Sequence, residues 1–187
     1  MTSVTGERVS PARDRLLRTA SALFYGEGIR AVGVDRVVHE AGVTRATFYR
    51  HFPSKDDLIV AYLGGVDRAV RTIAGDEPGP DRLRRVIGSM TETACGPGFR
   101  GCAFINAAAE FADPAGPVHR AVVEHRRWLA AAVQADLAAA GHPDPARGAA
   151  HLVMLRDGAM VAGQLGDPAR ARDTLLRGLH DLLAETA

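Results

Sequence analysis

The strongest restriction on how this chain can fold is one glycine, Gly42, set between two short apolar patterns. Before it, Val34, Val37, Val38 and Ala41 recur at helical spacing and form a single stripe. After it, Thr44 stands as the cap of a second short helix that runs to about Phe52, where Pro53 ends it. Gly42 permits the positive φ that brings the two helices near a right angle. Val43 and Phe48 then join the first stripe in one small apolar wedge, and Phe48 and Phe52, four residues apart, both point inward. A longer helix precedes the pair. Ser10-Pro11 reads as an N-cap with proline at the first helical position; Leu16, Leu17, Ala20, Leu23 and Phe24 face one way, and Gly26 and Gly28 stop the helix. Two short helices on a tight turn behind a longer one have the shape of a helix-turn-helix.

That packing leaves Arg45, Ala46, Thr47, Tyr49 and Arg50 on the outer side of the second short helix or at its margins. A protruding helix about two turns long fits a DNA major groove, with its N-terminal end meeting the base edges first. Arg45 has the reach for guanine O6/N7 or for a phosphate, Thr47 for a thymine methyl or a base acceptor, and Ala46 leaves room for close approach. The Thr44 hydroxyl and the free amides beside it suit a phosphate oxygen, and Tyr49, His51 and Lys55 line the rim with donors for the backbone. Plainer readings stand beside these: Tyr49 packed at the domain edge, and His51 as an idle surface histidine. The formal net charge of +1 excludes a globally cationic nucleic-acid packager but allows a local patch. Such a patch runs from Thr44 to Lys55, with Arg45, Arg50 and Lys55 and no acid.

These residues carry a resemblance. The run GVTRATFYRHFPSKDDLIVAYL, preceded by AVGVDRVVHEA and by a first helix ending LFYGEGIRAVGV, resembles the DNA-binding domain of the TetR family of regulators over roughly residues 10–62. The shared pattern is an ordered string: small residue-Gly-Val-Ser/Thr, then aromatic-Tyr-x-His-Phe, then Ser-Lys-acid-acid-Leu. The resemblance implies Tyr49, His51 and Lys55 as phosphate contacts, with Arg45, Ala46 and Thr47 closest to bases. One departure is visible. The family usually places Thr or Ser just before the first short helix, as cap and phosphate contact, and Val32-Gly33 stand there in this chain.

Helical patterns continue to the end. Ser54 caps a helix from Lys55 into the low seventies, with Asp56 and Asp57 in its first turn, where the helix dipole favours negative charge. After the turn GDEPGP, patterns at about 81–94, 102–112, 117–140, 146–165 and 168–185 are separated by segments that each hold glycine or proline. The expected fold is all-α with about nine helices: a disordered tail over 1–9, a three-helix helix-turn-helix domain over 10–54, and a helical domain over 55–187 whose first helix is a shared connector. The stretch RGCAFINAAAEFADPAGPVHRAVVEHRRW is similar to one subgroup of TetR-type regulators.

By that resemblance the last two helices pair with those of a second copy. Leu152, Leu155, Leu175, Leu176, Leu179, Leu182 and Leu183, with the small residues Gly158, Ala159 and Ala162, are the interface candidates, because a helix apolar on more than one side needs two partners. Packing within a monomer is the alternative. A ligand pocket among the middle helices has as candidates Met90, Phe99, Phe104, Asn106, Glu110, Phe111, His125, Trp128, Met154 and Asp157, each of which also reads as ordinary core or as a loop-bonding group. Cys95 and Cys102 flank GPGFRG and read as two small buried residues or as a thiol-disulfide pair.

The expectation is a cytoplasmic, bacterial, homodimeric regulator. It binds double-stranded operator DNA and is released by an unknown small-molecule effector, with no cofactor, no metal and no membrane partner. An activator or thiol-based redox sensor on the same scaffold is the alternative, and a small-molecule-binding protein that does not bind DNA is a further one. An enzyme is disfavoured, since the chain lacks a nucleophile motif, a phosphate loop after a strand and paired carboxylates.

Overall fold

Five helices of this protein begin on proline, where the missing N–H removes a donor that has no helical partner and the fixed φ already suits a helix. They are part of a fold of nine helices and no strand among residues 10–185, the residues described by the computed structural model. In chain order these are α1 (Pro11–Glu27), α2 (Val34–Glu40), α3 (Arg45–His51), α4 (Lys55–Ala74), α5 (Pro80–Ala94), α6 (Ala103–Glu110), α7 (Pro117–Ala139), α8 (Pro145–Gln164) and α9 (Pro168–Ala184). The all-α class and the order of helices are those expected, and the tail expected over 1–9 lies outside the described residues.

Capping chemistry sets several starts. Asp144 and Asp167 each accept an amide three residues on, from Arg147 and Arg170, both at 3.1 Å. Ser54 Oγ accepts the Asp57 amide at 3.2 Å and donates to the Asp57 carboxylate at 2.7 Å, which closes the first turn of α4. Ser10 departs from expectation. It sits at the N-cap of α1, but its hydroxyl makes no capping bond and is hydrogen-bonded instead to His51 Nε2 at 3.3 Å.

The chain divides into two units, up to Tyr62 and from Leu63 onward. The division lies two turns into α4, eight residues beyond the boundary read from the sequence. Leu58, Ile59 and Tyr62 are buried, and the Tyr62 ring meets Phe24 of α1 edge-on at 5.9 Å, so the start of α4 belongs to the first unit. There α1 packs on α2 and α3, and the core holds Leu16, Leu23, Phe24, Val37, Phe48 and Phe52. In the second unit α7, α8 and α9 pack side by side, with Leu83 and Ile87 of α5 closing a core of Leu129, Val133, Leu137, Leu152, Leu175 and Leu179.

One polar group is built into that core. Asp136 Oδ1 accepts the Arg82 Nε proton at 2.7 Å and the Gly79 amide at 2.8 Å, while Arg82 Nη2 donates to the Ala132 carbonyl at 3.1 Å. The pair joins α5 to α7, and its members are buried.

Candidate nucleic-acid interface

The turn before α3 forms as local chemistry dictates. Gly42 takes φ +62, and the Gly42 and Val43 amides reach back to the His39 and Val38 carbonyls at 3.1 and 3.2 Å, which ends α2. Thr44 Oγ1 accepts the Thr47 amide at 3.1 Å and lies 3.0 Å from Thr47 Oγ1, so both hydroxyls stand at the start of α3. Phe48 is fully buried and Phe52 nearly so; the Phe48 ring lies 5.1 Å from that of Tyr49 and 6.0 Å from that of Phe52. With that side fixed, Thr44, Arg45, Ala46, Tyr49 and Arg50 are exposed and Thr47 is half-buried; Tyr49 keeps 47% of its surface in solvent. Gly33 caps α2 through its backbone alone, and Val32 beside it is buried, so the side-chain cap usual in the family has no equivalent here.

Two expected phosphate contacts are already engaged with the protein. Lys55 Nζ donates to the Ile29 carbonyl at 2.7 Å in the turn between α1 and α2, and lies 5.9 Å from the Phe24 ring centre. His51 is half-buried and bonded to Ser10. Both therefore brace the unit, and either can serve a phosphate only with the donor capacity left over. The exposed cations of α2 and α3 differ in the same respect. Arg36 is held by Glu27 at 2.6 and 2.9 Å and by Glu40 at 2.9 Å, and these carboxylates keep its guanidinium charged above its already high ordinary pKa. Arg45 pairs instead with one carboxylate among the described residues, its Nε 3.0 Å from Asp35 Oδ1. Arg50 is exposed in the last turn of α3.

Residues 16–62, which hold this arrangement, match the profile described as bacterial regulatory proteins, tetR family. Residues 79–179 match that of the tetracyclin repressor-like C-terminal domain. The chain belongs to the TetR family. It is a DNA-binding transcriptional regulator of the helix-turn-helix type and not an enzyme. Its fold superposes on SCO4454, a TetR-family transcriptional regulator from Streptomyces coelicolor, with a TM-score of 0.88 and 51% identity over 94% of this chain and 95% of that one. Two curated relatives match over shorter spans. The transcriptional activator FasR of Mycolicibacterium smegmatis is 35% identical over 83 residues, 40% of this chain and 36% of FasR. The transcriptional repressor KstR2 of Mycobacterium tuberculosis is 35% identical over 65 residues, 35% of this chain and 32% of KstR2. The matched stretch thus spans only about a third of either curated relative.

In the second unit of this TetR-family regulator, three of the expected pocket residues come together. The Phe104 ring stacks on His125 at 3.6 Å and 2°, and Trp128 lies 5.7 Å from His125 on the same helix. The groups completing this cluster escaped the sequence reading. Asp67 of α4 accepts from His125 Nδ1 and from Arg71 Nε, both at 2.6 Å, and Arg71 lies 4.1 Å over the Trp128 ring. Burial is the largest influence on His125 and, against the pull of Asp67, lowers its pKa below the ordinary imidazole value. Burial alone would raise Asp67, but its bonds to Arg71 and His125 outweigh that and keep it below the ordinary carboxylate value.

A second polar cluster gathers Asp157. It accepts from Arg126 at 2.6 Å and from Arg156 at 2.8 Å, and Arg156 also donates to Cys102 Sγ at 3.1 Å. Asn106 donates to the Arg100 carbonyl at 2.8 Å, and Phe99 packs where a side chain at Gly163 would meet it. Met90 packs against the core, while Glu110 and Phe111 are half-buried. Both cysteines are free, Cys102 buried and Cys95 exposed, which corrects the expectation that both are buried. Among the described residues no three His, Cys, Asp or Glu side chains cluster to hold a metal ion, and no helix is long and apolar enough to cross a membrane.

Met154, read as a pocket residue, is 74% exposed on α8 and, with Gly158, Ala162 and Thr174, lines an open groove of about 490 Å³ between α8 and α9. Of the expected interface residues, Leu152, Ala159, Leu175, Leu179 and Leu182 are buried within the protomer's own core, with Ala159 and Leu175 at the floor of that groove. Leu155, Ala162, Leu176 and Leu183 are half-buried and Gly158 is exposed. The large apolar side chains presented to solvent here are Met154 and Val161 of α8 and Leu165 at its C-cap, at i, i+7 and i+11.

Proposed function

We propose that this regulator is a repressor that binds a near-palindromic operator as a homodimer, with α3 of each copy in the major groove, and leaves DNA when a small-molecule effector binds the second unit. The observation that carries the DNA reading is the exposed, acid-free face of α3, anchored from behind by Phe48 and Phe52. Arg45, Ala46 and Thr47 lie closest to bases, while Thr44, Tyr49 and Arg50, with the spare donors of His51 and Lys55, take phosphates. Two copies are needed because a palindromic site presents its half-sites about 34–36 Å apart, one helical turn of DNA. The solvent-facing stripe of Met154, Val161 and Leu165 supports that pairing. Release follows as a population shift if the effector favours the state whose reading heads misfit successive grooves. The interior around Phe104, His125, Trp128 and Asp157 is the proposed effector region.

A binding titration across salt concentrations tests the central claim. Wild-type affinity for duplex DNA should fall steeply as salt rises, and Arg45→Ala and Tyr49→Phe should both weaken it. Affinity flat with salt would overturn the reading. The relatives include both an activator and a repressor, so transcript levels with and without the protein decide the direction of control.

A further inference from the structure

Arg45 and Asp35 form a pair whose stability role is negligible. Nε and Oδ1 are 3.0 Å apart across the turn from α2 to α3, and the two side chains are 64% and 74% exposed. Ion pairs this open contribute little to folding. Arg36, one residue along from Asp35, is the contrast: its three carboxylate bonds tie α2 to α1 and to itself, and it serves as the staple of this region. Asp35 therefore lies beside the reading helix, on an arginine at its first position, and the modest dipole stabilisation it gives the first turn of α2 does not require that pairing.

A carboxylate there has two effects on DNA binding. It biases the orientation of a long, flexible guanidinium before DNA arrives, which lowers the ordering cost of a bidentate contact to guanine O6/N7. It also sets a negative charge next to the phosphate field, a penalty that every DNA sequence meets alike. Only the correct base offsets that penalty, by engaging the arginine that Asp35 holds. Building on the DNA-binding function proposed above, we infer that Asp35 is a specificity-determining positioning residue: it acts through Arg45 to suppress binding to non-operator DNA and to sharpen the choice of base that Arg45 reads.

The test uses the full-length protein, a duplex selected by the wild type from a random pool, and a scrambled duplex of the same length. The quantity read is the ratio of the two affinities. Loss of the Arg45 contact should lower this ratio by about fivefold or more, the low end for one arginine–guanine pair. Asp35→Asn keeps the shape and removes the charge; it should tighten binding to scrambled DNA and lower the ratio severalfold. In an Arg45→Ala background the same change should move the ratio less than twofold, since nothing remains to be positioned. A weakened α2 would affect both duplexes equally and leave the ratio unmoved. The inference falls if Asp35→Asn leaves the ratio unchanged, if it lowers the ratio equally in both backgrounds, or if Arg45→Ala weakens both duplexes to the same degree. Failure of the wild type to select any sequence, with affinity flat in salt, would overturn the regulator reading itself and this inference with it.

Discussion

Gly42 stands at φ +62, with open space where a Cβ would project. The cost of Gly42→Ala is therefore backbone strain without a clash, about 1–2 kcal/mol, and a shifted urea midpoint with unchanged slope would measure it. This position, like the Thr44 cap, was legible in the sequence because its chemistry is settled by residues within three or four positions. The partners of Lys55 and His51 were not. Their bonds reach residues 26 and 41 positions away, and nothing local announces that an ammonium will turn back onto the Ile29 carbonyl or an imidazole onto Ser10. The same holds for Asp35 and Arg45. The sequence offers Arg45 as a DNA contact but gives no sign of Asp35 as its partner, and only the fold sets the two 3.0 Å apart.

At the scale of elements, helix pairs are joined by polar groups as well as by apolar faces. Asp136 interrupts the apolar run AAAVQADLAAA of α7, and its burial against Arg82 explains why an acid stands there. Asp136→Asn leaves Arg82 buried without its counter-charge and should destabilise the protein by about 3–5 kcal/mol in chemical unfolding. His125 makes a further prediction through pH. Its folded pKa lies below the ordinary value of about 6.5, so the unfolded chain takes up the proton first as pH falls. Stability should hold above about pH 6.5 and decline as pH drops from there toward the folded pKa. Asp67 adds no slope in that range, because its contribution is lost only below the ordinary carboxylate value. Thermal midpoints at pH 8 and pH 5 should show a smaller loss on acidification in His125→Gln than in the wild type, although the variant is the less stable of the two at pH 8.

For the whole molecule, the decisive surface is the outer face of α8. Sequence periodicity could not phase this helix, because Ala, Val, Leu and Met occur on every side of it. The structure turns Leu152 and Ala159 inward and leaves Met154, Val161 and Leu165 in water, Leu165 with 81% of its surface exposed. In the homodimer proposed above, a second copy covers this stripe with its own by twofold symmetry. Met154→Asp with Leu165→Asp should convert a dimer to a folded monomer in sedimentation equilibrium and abolish tight binding to a palindromic duplex. Leu152→Ala should instead lower stability, because its contacts lie within the protomer. A double-Asp variant that stays dimeric would place the interface elsewhere.

The sequence by itself determined the order of helices among the described residues, the glycine turn that presents α3 and the identity of the residues on its outer face. Those features follow from short-range rules: spacing of apolar residues, proline at helix starts, and glycine where φ must be positive. The tertiary structure alone decided which side of α8 is core, which of the charged groups are bonded to one another, and how far the first unit extends into α4. Those outcomes depend on which distant segments meet, and a side chain's burial or ion pair is a property of the neighbours that packing brings to it.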